Sequence, residues 1–136
     1  MIYLDSSAAV PLLLKEPNST AALQLLTEGK ASGRRIVSSE LLRIELYRVA
    51  VRESLSLQPV TDVLASVDLM RITPAIVDGA CSIDHPVKSL DAIHLATAVR
   101  IRTAMPQLEL FSYDTTMRRV ATRLGIDLVA DMGTQA

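Results

Sequence analysis

One cysteine, two histidines, no tryptophan and an aromatic content of 3% leave several chemistries without their usual side chains in this chain of 136 residues. A lone Cys81 forms no internal disulfide, so a reducing cytoplasm is the expected location. It lies in the apolar stretch Ile76 to Ile83 and is expected to pack there as a small hydrophobe. With only His85 and His94 beside it, no closed ligand set for structural zinc exists. No cysteine–histidine pair for nucleophilic catalysis is expected either. The shortage of aromatics argues against nucleic-acid binding by rows of stacking side chains. A net charge of -1 and a pI near 6.1 argue against holding nucleic acid by global positive charge, leaving local basic patches. No apolar run reaches the roughly 18 residues that a membrane helix needs. The N-terminus opens directly on apolar strand-forming residues without the basic segment of a signal peptide.

What the chain does have is a hydrophobic content of 49%, enough for one compact domain over residues 1–136 with a real core. Its mean hydropathy of +0.30 is high for a small soluble monomer. Part of the apolar surface is therefore expected to be covered by a partner chain.

Short strand-like segments alternate with helical ones. Ile2 to Leu4 reads as a strand, followed by a helix from about Ser7 that carries Val10, Pro11 and Leu12 to Leu14. A second helix is expected from Asn18–Thr20 through Leu26, with Gly29 to Gly33 as its exit loop. Arg35 to Val37 gives the second strand. Ser39 then caps a long helix whose period runs through Leu41, Ile44, Tyr47 and Val51. A break at Leu57 to Pro59 and a further helix to Val67 make a helical hairpin. A third strand at Leu69 to Thr73 precedes a helix opened by Pro74. The stretch SLDAIHLATAVRIR is strongly helical, Leu108 to Tyr113 is a fourth strand, and Asp114 to Leu124 is a helix stopped by Gly125. A short fifth strand, Asp127 to Ala130, leads into a polar tail. This alternation predicts an α/β fold, a three-layer α/β/α sandwich with a five-stranded parallel sheet.

Four acids fall where such a fold turns toward one edge of the sheet: Asp5 after the first strand, Glu45 on the third helix, Asp91 at a helix start and Asp114 after the fourth strand. Each has a plainer reading. Asp5, Asp91 and Asp114 suit helix starts, and Glu45 suits a solvated helix face. Their settings favour a shared role, because Glu45 and Asp91 both sit in mostly apolar helices. Asp91 also shares a helix face with His94, which is expected to be a satisfied core residue or a support to the site. Carboxylates about 5 Å apart repel by roughly 3 kcal/mol per pair at an effective dielectric near 20. Four together need a cation, protons or basic side chains to offset them, and a hard divalent cation with oxygen ligands fits.

Four blocks of this sequence resemble the PIN-domain ribonucleases, and within them the VapC-type toxins of prokaryotic toxin–antitoxin pairs. They are YLDSSA at Tyr3 to Ala8, SSELLRIELYR at Ser38 to Arg48, LDAIHLATA at Leu90 to Ala98, and FSYDTTMRRVATRLGI at Phe111 to Ile126. The resemblance places the family's acids on Asp5, Glu45, Asp91 and Asp114 and its hydroxyls on Ser7 and Ser112. Ser6 and Ser112 stand where the family commonly has threonine, and both keep the hydroxyl. The resemblance implies Mg²⁺- or Mn²⁺-dependent hydrolysis of RNA, with Asp5 and Asp91 as principal metal ligands. Glu45 and Asp114 would complete the site, and Ser7 and Ser112 would hold phosphate or water. It further implies a homodimer and an antitoxin partner. That partner's basic tail is expected to cross an apolar groove beside Leu12, Leu13, Leu41 and Leu46 and to send a cation toward the acids.

Rival readings fit less well. A phosphoacceptor receiver domain needs an Asp after the third strand and a Lys after the fifth, where this chain has Ile72-Thr73 and Val129-Ala130. A phosphatase with a second Asp two residues after its nucleophile meets Ser7 at that place. A PIN-like protein that has kept the fold for interaction alone is the remaining alternative to the nuclease.

Overall fold

The computed structural model describes residues 1–130, and the polar tail read from the sequence lies outside them. Five parallel strands form one sheet in the order β3-β2-β1-β4-β5: β1 (Ile2–Leu4), β2 (Ile36–Ser39), β3 (Asp68–Met70), β4 (Glu109–Phe111) and β5 (Asp127–Leu128). Seven helices connect them: α1 (Ser6–Ala9), α2 (Ser19–Ala31), α3 (Glu40–Arg52), α4 (Gln58–Ala65), α5 (Pro74–Cys81), α6 (Ser89–Ala104) and α7 (Thr115–Arg123). This is the expected three-layer sandwich.

The alternation of β1 divides the core. Ile2 and Leu4 point into a layer with Leu26, Leu42, Leu46 and Val60 from α2, α3 and α4. Tyr3 points the other way, among Leu95, Ala98, Met117 and Val120 of α6 and α7. Fully buried on both faces, β1 reads as an uninterrupted apolar triplet. It is also the strand from which the chain departs in two directions, first to β2 and β3, later to β4 and β5. In an open parallel sheet the cleft beyond the strand ends at such a reversal is where ligands bind. Here it lies past Leu4 and Phe111, which are paired in register, and Asp5 N–H donates to the Phe111 carbonyl at 3.0 Å.

Several local expectations are corrected. The first helix is only one α turn, because Pro11 has no N–H to continue the ladder, and Val10–Leu12 tightens into a 3₁₀ turn. The second helix runs through Gly29 to Ala31 instead of leaving at Gly29. A Cβ on Gly29 would stand 2.9 Å from Ile2 Cδ1, so the missing side chain lets α2 lie close to β1. Gly33, with φ of 80°, supplies the turn that follows. Pro59 sits in the first turn of α4 and is part of the helix, not a break before it.

On α3 the buried residues are Leu41, Leu42, Leu46, Val49 and Ala50, whereas Ile44 and Val51 of the expected stripe are 57% and 58% exposed. The expected strand at Leu69 to Thr73 is only Asp68–Met70, and Thr73 instead caps α5 by accepting from Ile76 N–H. Cys81, the last residue of α5, is exposed instead of packing as a hydrophobe, since Ile76 is what that helix buries. Among the described residues no helix is long and apolar enough to cross a membrane.

Candidate active site

Asp5 occupies the N-cap position of α1, yet its carboxylate makes no capping bond. It is 2% exposed, and its Oδ2 accepts from the Ser7 hydroxyl at 2.7 Å and the Ser112 hydroxyl at 2.8 Å. Tyr113 N–H donates to Ser7 Oγ at 2.9 Å, and Asp114 N–H to Ser112 Oγ at 3.1 Å. A hydroxyl has one proton, so a backbone N–H on each oxygen leaves each proton pointed at Asp5. Asp5 Oδ1 is buried and has no hydrogen-bond partner among the described residues. A carboxylate with one oxygen held by two donors and the other bare is set up for a ligand on the bare side. The capping alternative for Asp5 is thereby excluded.

The other three acids converge on the same edge. Asp91 stands in the first turn of α6, where the helix dipole favours a carboxylate. Its carboxyl is nonetheless held above the usual range, first by burial and then by the negative charges of Asp5 and Asp114. Glu45 adds to this more weakly, and His94 opposes it. Asp91 therefore senses the other three carboxylates across the cleft.

Asp114 caps α7, its Oδ1 accepting from Met117 N–H at 2.8 Å. The helix-start reading of Asp114 is thus correct for one of its two oxygens. Glu45 reaches from α3 across the sheet edge to α6, where its Oε1 lies 2.6 Å from His94 Nε2. It is not a solvated helix residue, its side chain being 18% exposed. His94 is fully enclosed as expected, and its Nδ1 meets the Tyr3 hydroxyl at 2.8 Å. Tyr3 was not singled out by sequence reasoning. Its signal was its place two residues before Asp5 on an alternating strand.

Among the described residues no three His, Cys, Asp or Glu side chains form a ready-made metal-holding group. A magnesium site does not need one, since that ion keeps several waters and takes one or two carboxylates. Asp5 with its bare Oδ1, and Asp91 with a charge that its surroundings disfavour, fit such an ion. The carboxylates and hydroxyls gathered here offer oxygen donors, which suit a hard cation over a soft one.

A family model described as PIN domain matches residues 2–123. Ribonuclease VapC46 of Mycobacterium tuberculosis is 37% identical over 131 residues, covering 95% of this chain and 96% of its own. Ribonuclease VapC35 of the same species is 36% identical over 133 residues, covering 96% of each. The crystal structure of M. tuberculosis VapC20, described as a sarcin-ricin loop cleaving toxin, superposes with a TM-score of 0.67. It covers 95% of this chain and 98% of that one at 16% identity, a likeness of fold. Matched by the family model over almost all of its described length, and by relatives more than a third identical along nearly the whole of both chains, this chain belongs to the PIN-domain family, in its VapC ribonuclease branch.

Proposed function

We propose that the protein is the toxin of a type II toxin–antitoxin pair, an endoribonuclease that hydrolyses RNA phosphodiester bonds with Mg²⁺ or Mn²⁺, its 136 residues forming one PIN domain. The observation that carries the metal dependence is the bare, buried Oδ1 of Asp5 in a cleft of four acids. A phosphate brings further negative charge to that cleft. Bound between Asp5 and Asp91, a divalent ion would lower the pKa of a water and stabilise charge on the phosphate. Ser7 and Ser112 act first on Asp5, holding its orientation. Ser7, the partly exposed one of the two, keeps a lone pair with which to accept from a water beside the phosphate, and the buried Ser112 acts through Asp5. Glu45 is positioned to orient the attacking water, and Asp114 keeps Oδ2 for the same network while Oδ1 caps α7.

Two surfaces support the partners. A groove of about 340 Å³ between α2 and α4, lined by Leu12, Leu23, Leu26, Val63 and Val67, suits the apolar face of an antitoxin segment. The groove expected beside Leu41 and Leu46 is corrected accordingly: both are buried in the core. The antitoxin's basic end would then reach the acids. Ile44 and Val51, exposed on the outer side of α3, supply apolar surface for a homodimer. A cytoplasmic location accords with an RNA substrate and an exposed, unpaired Cys81.

Purified protein incubated with RNA should cut it when Mg²⁺ or Mn²⁺ is added and stop when excess EDTA is present. Equal cleavage in EDTA would overturn the metal-dependent reading. Undiminished cleavage in a stable complex with the product of the adjacent reading frame would overturn the toxin–antitoxin reading.

A further inference from the structure

Two elements each bring a pair of residues to the cleft. Strand β1 carries Tyr3, with Asp5 just past its end and two residues on, in extended backbone and so on the same side, and helix α6 carries Asp91 and His94, three apart and so on one face. In each pair one member is an acid of the site. The other members touch each other: Tyr3 Oη lies 2.8 Å from His94 Nδ1, and His94 Nε2 continues to Glu45 Oε1 at 2.6 Å.

We infer that Tyr3 and His94 form a buried relay that fixes the Glu45 carboxylate in its working orientation, with His94 as the positioning residue. This rests on the proposed nuclease reading, because it requires Glu45 to take part in cleavage. Tyr3 and His94 are 0% and 1% exposed, so the relay is walled off from substrate and acts only through Glu45. An ionised carboxylate accepts and does not donate, so the proton at the His94–Glu45 contact is on Nε2. In the neutral ring Nδ1 is then the acceptor, and the Tyr3 hydroxyl donates to it. The same arrangement, in which a ring nitrogen's outer partner fixes its tautomer and direction, tunes the ligands of metal sites generally. Phe and Leu at positions 3 and 94 would fill this core without polar atoms. A chain of three hydrogen-bonding groups running from the core to one acid has its explanation at that acid.

A bond from α6 to α3 also ties two helices together, and the test separates that role from positioning. Steady-state cleavage of an RNA that the wild type cuts, with Mn²⁺ present, is measured for His94→Leu, His94→Gln, Tyr3→Phe, Glu45→Gln and the double variant His94→Leu/Glu45→Gln, each with its melting temperature. His94→Leu should lower kcat by about 10- to 100-fold, the usual effect of losing such an outer partner, with KM unchanged. His94→Gln, whose amide N–H reaches toward Glu45, should recover the larger part of the loss. Tyr3→Phe should fall between. In the Glu45→Gln background His94→Leu should cost nothing further, because the two act as one unit. The ¹⁵N spectrum of the metal-free protein should show His94 as the Nε2–H tautomer.

An undiminished kcat in His94→Leu, an equal loss in both backgrounds, or an Nδ1–H tautomer would overturn the relay while leaving the nuclease reading intact. Wild-type protein that leaves RNA intact would overturn the nuclease reading itself and the relay with it. Should His94→Leu not fold, the cycle of Tyr3→Phe with Glu45→Gln gives the same decision.

Discussion

Ser7 and Ser112, 105 residues apart in the chain, bring their hydroxyl oxygens within 3.1 Å of each other because both donate to the same oxygen of Asp5. The contact joins the residues that follow β1 to those that follow β4, across the place where the sheet order reverses. It leaves the second oxygen of Asp5 as the only one of the two that a ligand meets bare.

Removing one of these donors tests the arrangement. Ser112→Ala deletes a bond to Asp5 and the acceptor of Asp114 N–H, both at a fully buried position. Leaving such groups unpaired costs about 1–3 kcal/mol. Denaturant unfolding should show that loss, and cleavage should fall by roughly 10- to 100-fold. Ser7→Ala, at a partly exposed position, should impair cleavage with a smaller loss of stability. Wild-type activity in Ser112→Ala would show that the orientation of Asp5 does not depend on this bond.

Asp5→Asn keeps the size of the side chain and an oxygen for Ser7 and Ser112 while removing the charge. Cleavage should drop by more than the roughly 10- to 100-fold expected for an outer partner. The metal-free protein should melt at or above the wild-type temperature, since a buried charge that acts on Asp91 has been removed. Melting well below wild type would make Asp5 a structural residue.

Much of this site was legible before the fold was known. Polar residues placed directly after apolar strands, Asp5 after Ile2–Leu4 and Ser112 to Asp114 after Phe111, mark strand ends, and ligands gather at strand ends in parallel sheets. The layer order followed from the alternation of short strands with helices. Two things were not legible. On α3 the stripe Leu41, Ile44, Tyr47 and Val51 and the stripe Leu42, Leu46 and Ala50 are both apolar, so periodicity alone could not choose the core face. The choice falls to the second stripe because Leu42 and Leu46 meet the β1 layer, which leaves Ile44 and Val51 outside. The partnership of Tyr3 with His94 spans 91 residues and depends on how α6 lies over β1, a relation that no local pattern encodes.

Asp114 offers a way to separate capping from chemistry. Its Oδ1 caps α7 through Met117 N–H, and an asparagine oxygen caps equally well. Asp114→Asn should therefore keep the melting temperature and lose cleavage, whereas Asp114→Ala should lose cleavage and also about 1 kcal/mol of stability. If Asp114→Asn cleaves as well as wild type, the residue serves only as a cap.

Asp91 links the charge of the cleft to pH. Its folded-state pKa is raised by burial first and by Asp5 and Asp114 next, so between its ordinary value of 3.8 and the raised one the folded chain holds more protons than the unfolded chain. Stability from this group then falls as pH rises through that window, and above it the penalty of the ionised form is present in full. At pH 7 without metal, Asp91→Asn should consequently unfold at higher denaturant concentration than wild type, and the gap should narrow as the pH is lowered toward 4. A divalent ion reverses the order. Binding only to the folded state stabilises it by RT ln(1 + [L]/Kd), about 2.7 kcal/mol at a hundredfold excess over Kd. Wild type should gain this with Mg²⁺ or Mn²⁺, and Asp91→Asn should lose most of it. Urea titrations of both proteins at pH 4 and pH 7, with and without metal, measure all of these quantities. A metal-free Asp91→Asn protein less stable than wild type at pH 7 would mean that Asp91 supports the fold, and an equal gain from metal in both proteins would remove it from the metal's ligands.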